Sequence, residues 1–169
     1  MKQLLIVWHS RTGAARQMAE AAARGAAAAA TQLEQTEELR IVLRRAAAVE
    51  ADALLASQAF LFCAPENLAS LSGEMKEFFD RNYYAVLDQL SGRPYALAIS
   101  AGSDGAGAVR QTERICTGWR LKAVAPALIV NLGAQTADQI LAPKTVPAAD
   151  LIRCEELGGL LAGVTLMAG

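Results

Sequence analysis

The sequence predicts an α/β fold, a parallel sheet covered by helices on both faces. Apolar runs alternate with helix-period segments along the whole chain, the pattern of strands buried on both sides and connected by crossover helices. The apolar run Ala59-Phe60-Leu61-Phe62-Cys63 then leads through Pro65 and a polar loop into a helix that starts at Ser72 or Gly73. A loop leaving the carboxyl end of a buried strand is where open α/β sheets bind their ligands. At 169 residues with no repeat or linker, the chain is expected to form one domain over 1–169 with a full core.

Each element has its own signature. Gln3 to His9 reads as the first strand, and a helix begins near Gly13 with Ala15, Met18, Ala19 and Ala22 at helical spacing. The alanine run Ala26 to Ala30 fits an extension of that helix or its frayed end, since alanine is the best helix former. Leu39 to Leu43 is the second strand, and Val49 to Ala56 a short helix led by Glu50 and Asp52. Ala59 to Cys63 is the third strand, followed by a helix from Gly73 to about Tyr84 that turns Met75, Phe78, Phe79 and Asn82 or Tyr83 to the sheet. The fourth strand is Pro94 to Ser100, with its proline first, where no ladder donor is lost. Ala106 to Trp119 forms a helix presenting Ala108, Thr112, Ile115, Cys116 and Trp119 on one face. Ala127 to Leu132 is the fifth strand, and Pro126 beside it suits a sheet edge. Gly133 to Val146 reads as an irregular crossing loop, and Ala148 to about Leu161 as the last helix.

Bulk properties exclude several classes of function. Charged residues make up 20% of the chain with a net charge of −1, so neither nucleic acid nor a strongly charged partner is expected. That balance also weighs against an electron shuttle, which docks through an acidic rim. Cys63, Cys116 and Cys154 lie far apart with no C-x-x-C pair, which argues against a metal or dithiol site and for buried thiols in a reducing cytoplasm. Leu4 to Trp8 is too short for a secretory apolar region, and no segment approaches a membrane span. His9 is the single histidine, so a histidine-based triad or metal cluster is not expected. No G-x-G-x-x-G follows a strand, so a separate dinucleotide site is not indicated.

Three loops carry the chemistry. In His9-Ser10-Arg11-Thr12-Gly13-Ala14-Ala15-Arg16, hydroxyls at Ser10 and Thr12, a glycine for close approach and a helix N-terminus together suit a phosphate monoester. An ordinary N-capped turn uses the same residues. The second loop runs from Pro65 through Glu66, Asn67, Leu68 and Ala69 to Ser72. The third, Ser100-Ala101-Gly102-Ser103-Asp104-Gly105-Ala106-Gly107, places three glycines around one aspartate, so the backbone can approach a flat ligand while Asp104 or Ser103 caps the next helix.

The wording of these loops resembles the flavodoxin-like superfamily of FMN-binding flavodoxins and NAD(P)H-dependent FMN reductases. Ser10, Thr12 and Gly13 match that superfamily's phosphate loop, with Ala15 in place of its last hydroxyl and Arg11 or Arg16 left to supply charge. Pro65-Glu66-Asn67 and the run Ser72, Gly73, Lys76, Phe78, Phe79, Asp80, Arg81 match its second loop, with Leu68, Ala69 and Leu71 replacing aromatic and glycine positions. The resemblance implies a three-layer α/β/α sandwich with a five-stranded parallel sheet of order 2-1-3-4-5. It also implies FMN held by Ser10 to Ala15, Pro65 to Ala69, Ala101, Gly102, Asp104 and Gly105, with no side chain demanded as acid or base. The expected function is NAD(P)H-dependent reduction of a quinone, flavin or other small acceptor through hydride transfer to flavin N5. A flavodoxin-type electron carrier and a flavodoxin-fold protein that no longer holds FMN tightly are the alternatives. Partners are then small-molecule electron donors and acceptors, with a homo-oligomer among the assembly states left open.

Overall fold

Leu4, Leu5, Ile6 and Val7 are fully buried, because the strand they form, β1 (Lys2–Trp8), lies inside a sheet packed on both faces. The computed structural model describes residues 1–168. The chain continues through α1 (Ala14–Gln32), β2 (Leu39–Arg45), α2 (Ala51–Leu55), β3 (Ala59–Asn67), β4 (Ser70–Leu71), α3 (Gly73–Asn82) and β5 (Pro94–Ala101). It ends with α4 (Ala106–Gly118), β6 (Lys122–Ala123), β7 (Leu128–Asn131), α5 (Ala137–Leu141) and α6 (Ala148–Met167). The parallel strands run β2-β1-β3-β5, with β6 and β7 both on the outer side of β5. This is the expected 2-1-3-4-5 order of a flavodoxin-like sandwich, with the fifth strand in two pieces.

Pro126 explains the break. Two residues of β5 separate the partners of Ala123 and Leu128, whereas four residues, Pro126 among them, separate Ala123 from Leu128. A proline without an N–H interrupts a ladder and is tolerated at an edge. Three further boundaries differ from the sequence reading. β3 extends past Cys63 to Asn67 because its register with β5 holds to Pro65 and its end folds back on β4. Gly133 to Val146 contains α5, started by a capping box between Thr136 and Gln139. α6 runs to Met167 because Ala162, Thr165 and Leu166 remain buried beyond Leu161.

The two faces of the sheet are built differently. On one, Leu4, Ile6, Leu61, Cys63, Ala96 and Ala98 meet the alanines of α1 and the inner face of α6. Small residues bring those helices close: a Cβ on Gly158 would lie 2.0 Å from the Ala22 carbonyl oxygen, and one on Gly25 1.9 Å from that of Glu155. The alanine run is therefore packed helix, with Ala26 and Ala30 buried. On the other face Phe62 is the hub of an aromatic cluster, with ring centroids 5.1 Å from Phe79, 6.2 Å from Phe78 and 6.5 Å from Trp119. Trp119 is buried as expected; Trp8 is only half-buried, with the Arg16 guanidinium 5.9 Å from its ring centre.

Two glycines of α6 test this packing. Gly158→Ala should cost about 1–3 kcal/mol by forcing α1 and α6 apart. Gly163→Ala, where a Cβ meets nothing within 4 Å, should instead stabilise by about 0.5–1 kcal/mol through helix propensity. Urea unfolding midpoints that move in opposite directions are the expected result.

Candidate functional site

Four segments meet at the carboxyl edge of the sheet around a cleft of ≈ 410 Å³. That volume lies within the range of small-molecule sites, about 300–1,000 Å³. After β1, Ser10 Oγ accepts a hydrogen bond from the Gly13 N–H at 3.0 Å, and Gly13 takes φ = +100°, a left-handed geometry that suits glycine. This turn aims the start of α1 into the cleft. The helix has no side-chain cap, so the N–H groups of its first turn have no protein partner. Arg11, Thr12 and Ala14 line the cleft beside it.

The second wall is the hairpin of β3 and β4. Glu66 pairs with Leu71 and Asn67 with Ser70, leaving Leu68 and Ala69 as the two turn residues. Both have positive φ, +51° and +61°. Tight hairpins demand this geometry, normally from Asn-Gly, and two non-glycine residues in it cost about 1–2 kcal/mol each. Contacts with α4 hold the strained turn in place. The Glu66 carboxylate accepts from the Gly105 N–H at 2.9 Å and the Ala108 N–H at 3.0 Å, capping α4. Gln111 Oε1 accepts from the Leu71 N–H at 2.8 Å and the Ser70 hydroxyl at 3.0 Å. A Cβ on Gly107 would lie 2.1 Å from the Ala69 carbonyl oxygen, so only glycine lets the turn sit this close.

The third wall is Ser100 to Ser103, fixed by Asn131 Nδ2 donating to the Ser103 carbonyl at 2.7 Å. The fourth comes from the segment after β7: Leu132, Ala134, Ile140 and Lys144. A Cβ on Gly102 would lie 2.6 Å from the Ala134 carbonyl oxygen, so the third and fourth walls touch.

Of the residues expected from the sequence, the cleft brings together Arg11, Thr12, Ala14, Pro65, Glu66, Asn67, Leu68, Ala69, Ala101 and Gly102. Five lie outside its lining. Ser10 Oγ accepts from the Gly13 N–H and keeps its own O–H to donate, and Gly13 forms the turn. Ala15 is buried, with its carbonyl oxygen 3.1 Å from the Cys63 thiol. Asp104 is exposed and accepts from the Ala106 N–H, as expected of a cap, while the Gly105 N–H is held by Glu66. In addition, Arg16, expected as an alternative to Arg11 for charge, lies outside the lining and pairs with Glu20 at 2.8 Å. The sequence reading did not find the wall from Leu132 to Lys144. The signal was there: a long irregular stretch after a parallel strand is commonly functional, and it leaves the same sheet edge as the other loops.

A polar chain runs from the buried His9 and Ser72 out to Arg45 at the surface. His9 Nδ1 is 2.8 Å from Ser72 Oγ, His9 Nε2 is 3.5 Å from Glu74, and Glu74 accepts two hydrogen bonds from Arg45 at 2.8 and 2.9 Å. Burial lowers the His9 pKa despite the nearby Glu74 carboxylate, and the Arg45 hydrogen bonds lower that of Glu74. His9 thus ties the end of β1 to the start of α3 and to the second loop, whose Pro65 carbonyl accepts from the Ser72 N–H. The three thiols are buried, and burial raises all their pKa values, that of Cys154 to about 11, so none suits a nucleophile. Among the described residues no cluster of three or more His, Cys, Asp or Glu could hold a metal.

The family model for NADPH-dependent FMN reductase matches residues 8–136. The chain belongs to that family. FMN is the cofactor this membership indicates, and the donor set fits it: open N–H groups, the Thr12 hydroxyl and cations at one end of the cleft, and backbone-rich walls around the rest. No curated protein sequence matches the chain. Among solved structures, an oxidoreductase from Corynebacterium diphtheriae is 20% identical over 100% of this chain and 99% of its own, with a TM-score of 0.75. A flavodoxin from the domain Archaea is 18% identical over 97% and 99%, with a TM-score of 0.73. A WrbA-like flavodoxin from Agrobacterium tumefaciens is 18% identical over the full length of both, with a TM-score of 0.69. At these identities the likeness is one of fold. Among the described residues of this FMN reductase family member, no helix is long and apolar enough to cross a membrane.

Two outcomes follow for the walls of the cleft. Glu66→Ala should destabilise by about 1–3 kcal/mol, because it uncaps α4 and frees the strained turn. The urea midpoint would measure this, and Glu66→Gln, which keeps one acceptor, should lose less. The second outcome concerns pH. With its folded pKa below the ordinary 6.5, neutral His9 contributes stability that is complete above 6.5 and is lost as pH falls from there through the lower folded pKa. The melting temperature of the wild type should therefore drop from about pH 7.5 to 5.5 more steeply than that of His9→Gln.

Proposed function

We propose that this protein is an FMN-dependent oxidoreductase that takes reducing equivalents from NAD(P)H and passes them to a small acceptor such as a quinone or a flavin. The observation that carries this reading is the cleft itself: an uncapped helix start and cations at one end, backbone-rich walls, and a mouth bordered by small or aliphatic side chains. When bound, FMN would supply the two-electron redox chemistry. The chain's own residues bind and orient. Thr12 and the first turn of α1 would hold the phosphate. Asn67, Ala101 and Gly102 would border the flat ring, and backbone N–H groups of the third loop would favour negative charge on it.

Donor and acceptor must reach the ring one after the other, and the mouth suits small molecules for that purpose. Ala69 is small, and Leu68, whose side chain is fully exposed, stands at the rim without an aromatic plate. A nicotinamide needs a face-to-face approach near van der Waals distance. The net charge of −1 offers little long-range guidance to a protein partner. Three buried thiols with raised pKa values suit a cytoplasmic setting.

Anaerobic stopped-flow mixing of the FMN-loaded protein with NADPH or NADH tests the reading. The expected outcome is bleaching of the visible flavin band by at least one nicotinamide, slowed more by Ala69→Trp than FMN binding is weakened. Bleaching by dithionite alone would replace the enzyme reading with that of an electron carrier.

A further inference from the structure

We propose that Lys144, on the segment between β7 and α6, is a phosphate-binding residue of this site and takes the place of the loop hydroxyl that Ala15 cannot supply. The inference rests on the FMN reading above and adds a residue from outside the three flavin loops.

The phosphate end of the cleft is short of side-chain donors. Ser10 Oγ accepts from the Gly13 N–H and keeps its own O–H to donate, but it lies outside the cleft lining; Ala15 is buried and carries no hydroxyl, and Arg16 is paired with Glu20. Thr12 is the only side-chain hydroxyl of the first loop that lines the cleft, and the cations among the lining residues are Arg11 and Lys144. Arg11 is exposed, whereas Lys144 is half-buried and fastened in place. Its backbone N–H donates to the Thr12 carbonyl at 2.8 Å. Its own carbonyl accepts from Gln17 Nε2 at 2.8 Å, and Gln17 Oε1 accepts from the Val146 N–H at 3.0 Å. Gln17 Nε2 also donates to the Gly13 carbonyl at 3.0 Å. One glutamine of α1 thus stitches this distant segment to the turn that opens the helix.

The ammonium has donors to share. Nζ donates to the carbonyls of Ile140 at 3.0 Å and Ala142 at 2.5 Å at the end of α5. An ammonium has three donors, so one remains. Among the described residues no carboxylate is paired with it, and the one carboxylate among the described lining residues, Glu66, is engaged by the start of α4. An anion at the first turn of α1 would therefore meet a positive dipole and a cation whose backbone is fastened to Thr12 beside that turn.

Fluorescence titration of the apo-protein with FMN and with riboflavin tests this in the wild type, Lys144→Gln and Lys144→Arg. Lys144→Gln should weaken FMN roughly ten- to a hundredfold, the range for one charge-assisted hydrogen bond, and leave riboflavin affinity unchanged. Lys144→Arg should restore most of the preference, and added salt should narrow the gap between FMN and riboflavin more in the wild type than in Lys144→Gln. Unchanged FMN affinity in Lys144→Gln, or equal loss of both flavins, would overturn the proposal and leave the FMN reading standing. A wild type that binds riboflavin as tightly as FMN would overturn the phosphate reading of the first loop together with it.

Discussion

The Glu66 carboxylate sits on the first turn of α4, and much of the cleft's shape follows from that contact. It joins the end of β3 to the third loop through the N–H groups of Gly105 and Ala108. Because those donors are satisfied by the protein, α4 offers no open N-terminus, while α1 does. The two helix starts at one sheet edge are thereby differentiated. The same contact, with Gln111, holds Leu68 and Ala69 in a turn their side chains disfavour. Strain of this kind persists only where surrounding contacts over-determine it, and it concentrates at functional sites.

The unequal faces of the sheet serve the same edge. Alanine and glycine let α1 and α6 approach closely, so the start of α1 is held by a long helix–helix contact as well as by β1. On the far side the aromatic cluster around Phe62 anchors α3 and α4, the elements that carry the second and third loops. Cores of this density transmit displacement instead of absorbing it. A change in either packing layer would therefore be felt at the cleft.

The electrostatics of the site are those of a binding surface. His9 lies outside the cleft lining and ties β1 to α3, with Ser72 on one ring nitrogen and Glu74 near the other. The thiols are buried and protonated at neutral pH. What remains is backbone, hydroxyl and cation, arranged to orient a group that brings its own reactivity.

The sequence by itself determined the parallel fold, its strand order and the three loops that carry the cofactor wording. Those depend on hydrophobic period, glycine and proline placement and helix starts, all of which are local. Pro126 likewise announced the edge of the sheet, though not the break it makes there. Tertiary structure decided what each side chain in those loops does. Ser10, Asp104 and Gly105 also take part in the turns and caps that shape the walls, a role set by hydrogen-bond partners that are assigned in space. Glu66 was placed at the site, but its tie to α4 spans 39 residues to Gly105. The fourth wall was missed because Lys144 reaches Thr12 and Gln17 from 127 residues beyond Gln17. Only closure of the sheet edge brings such residues together.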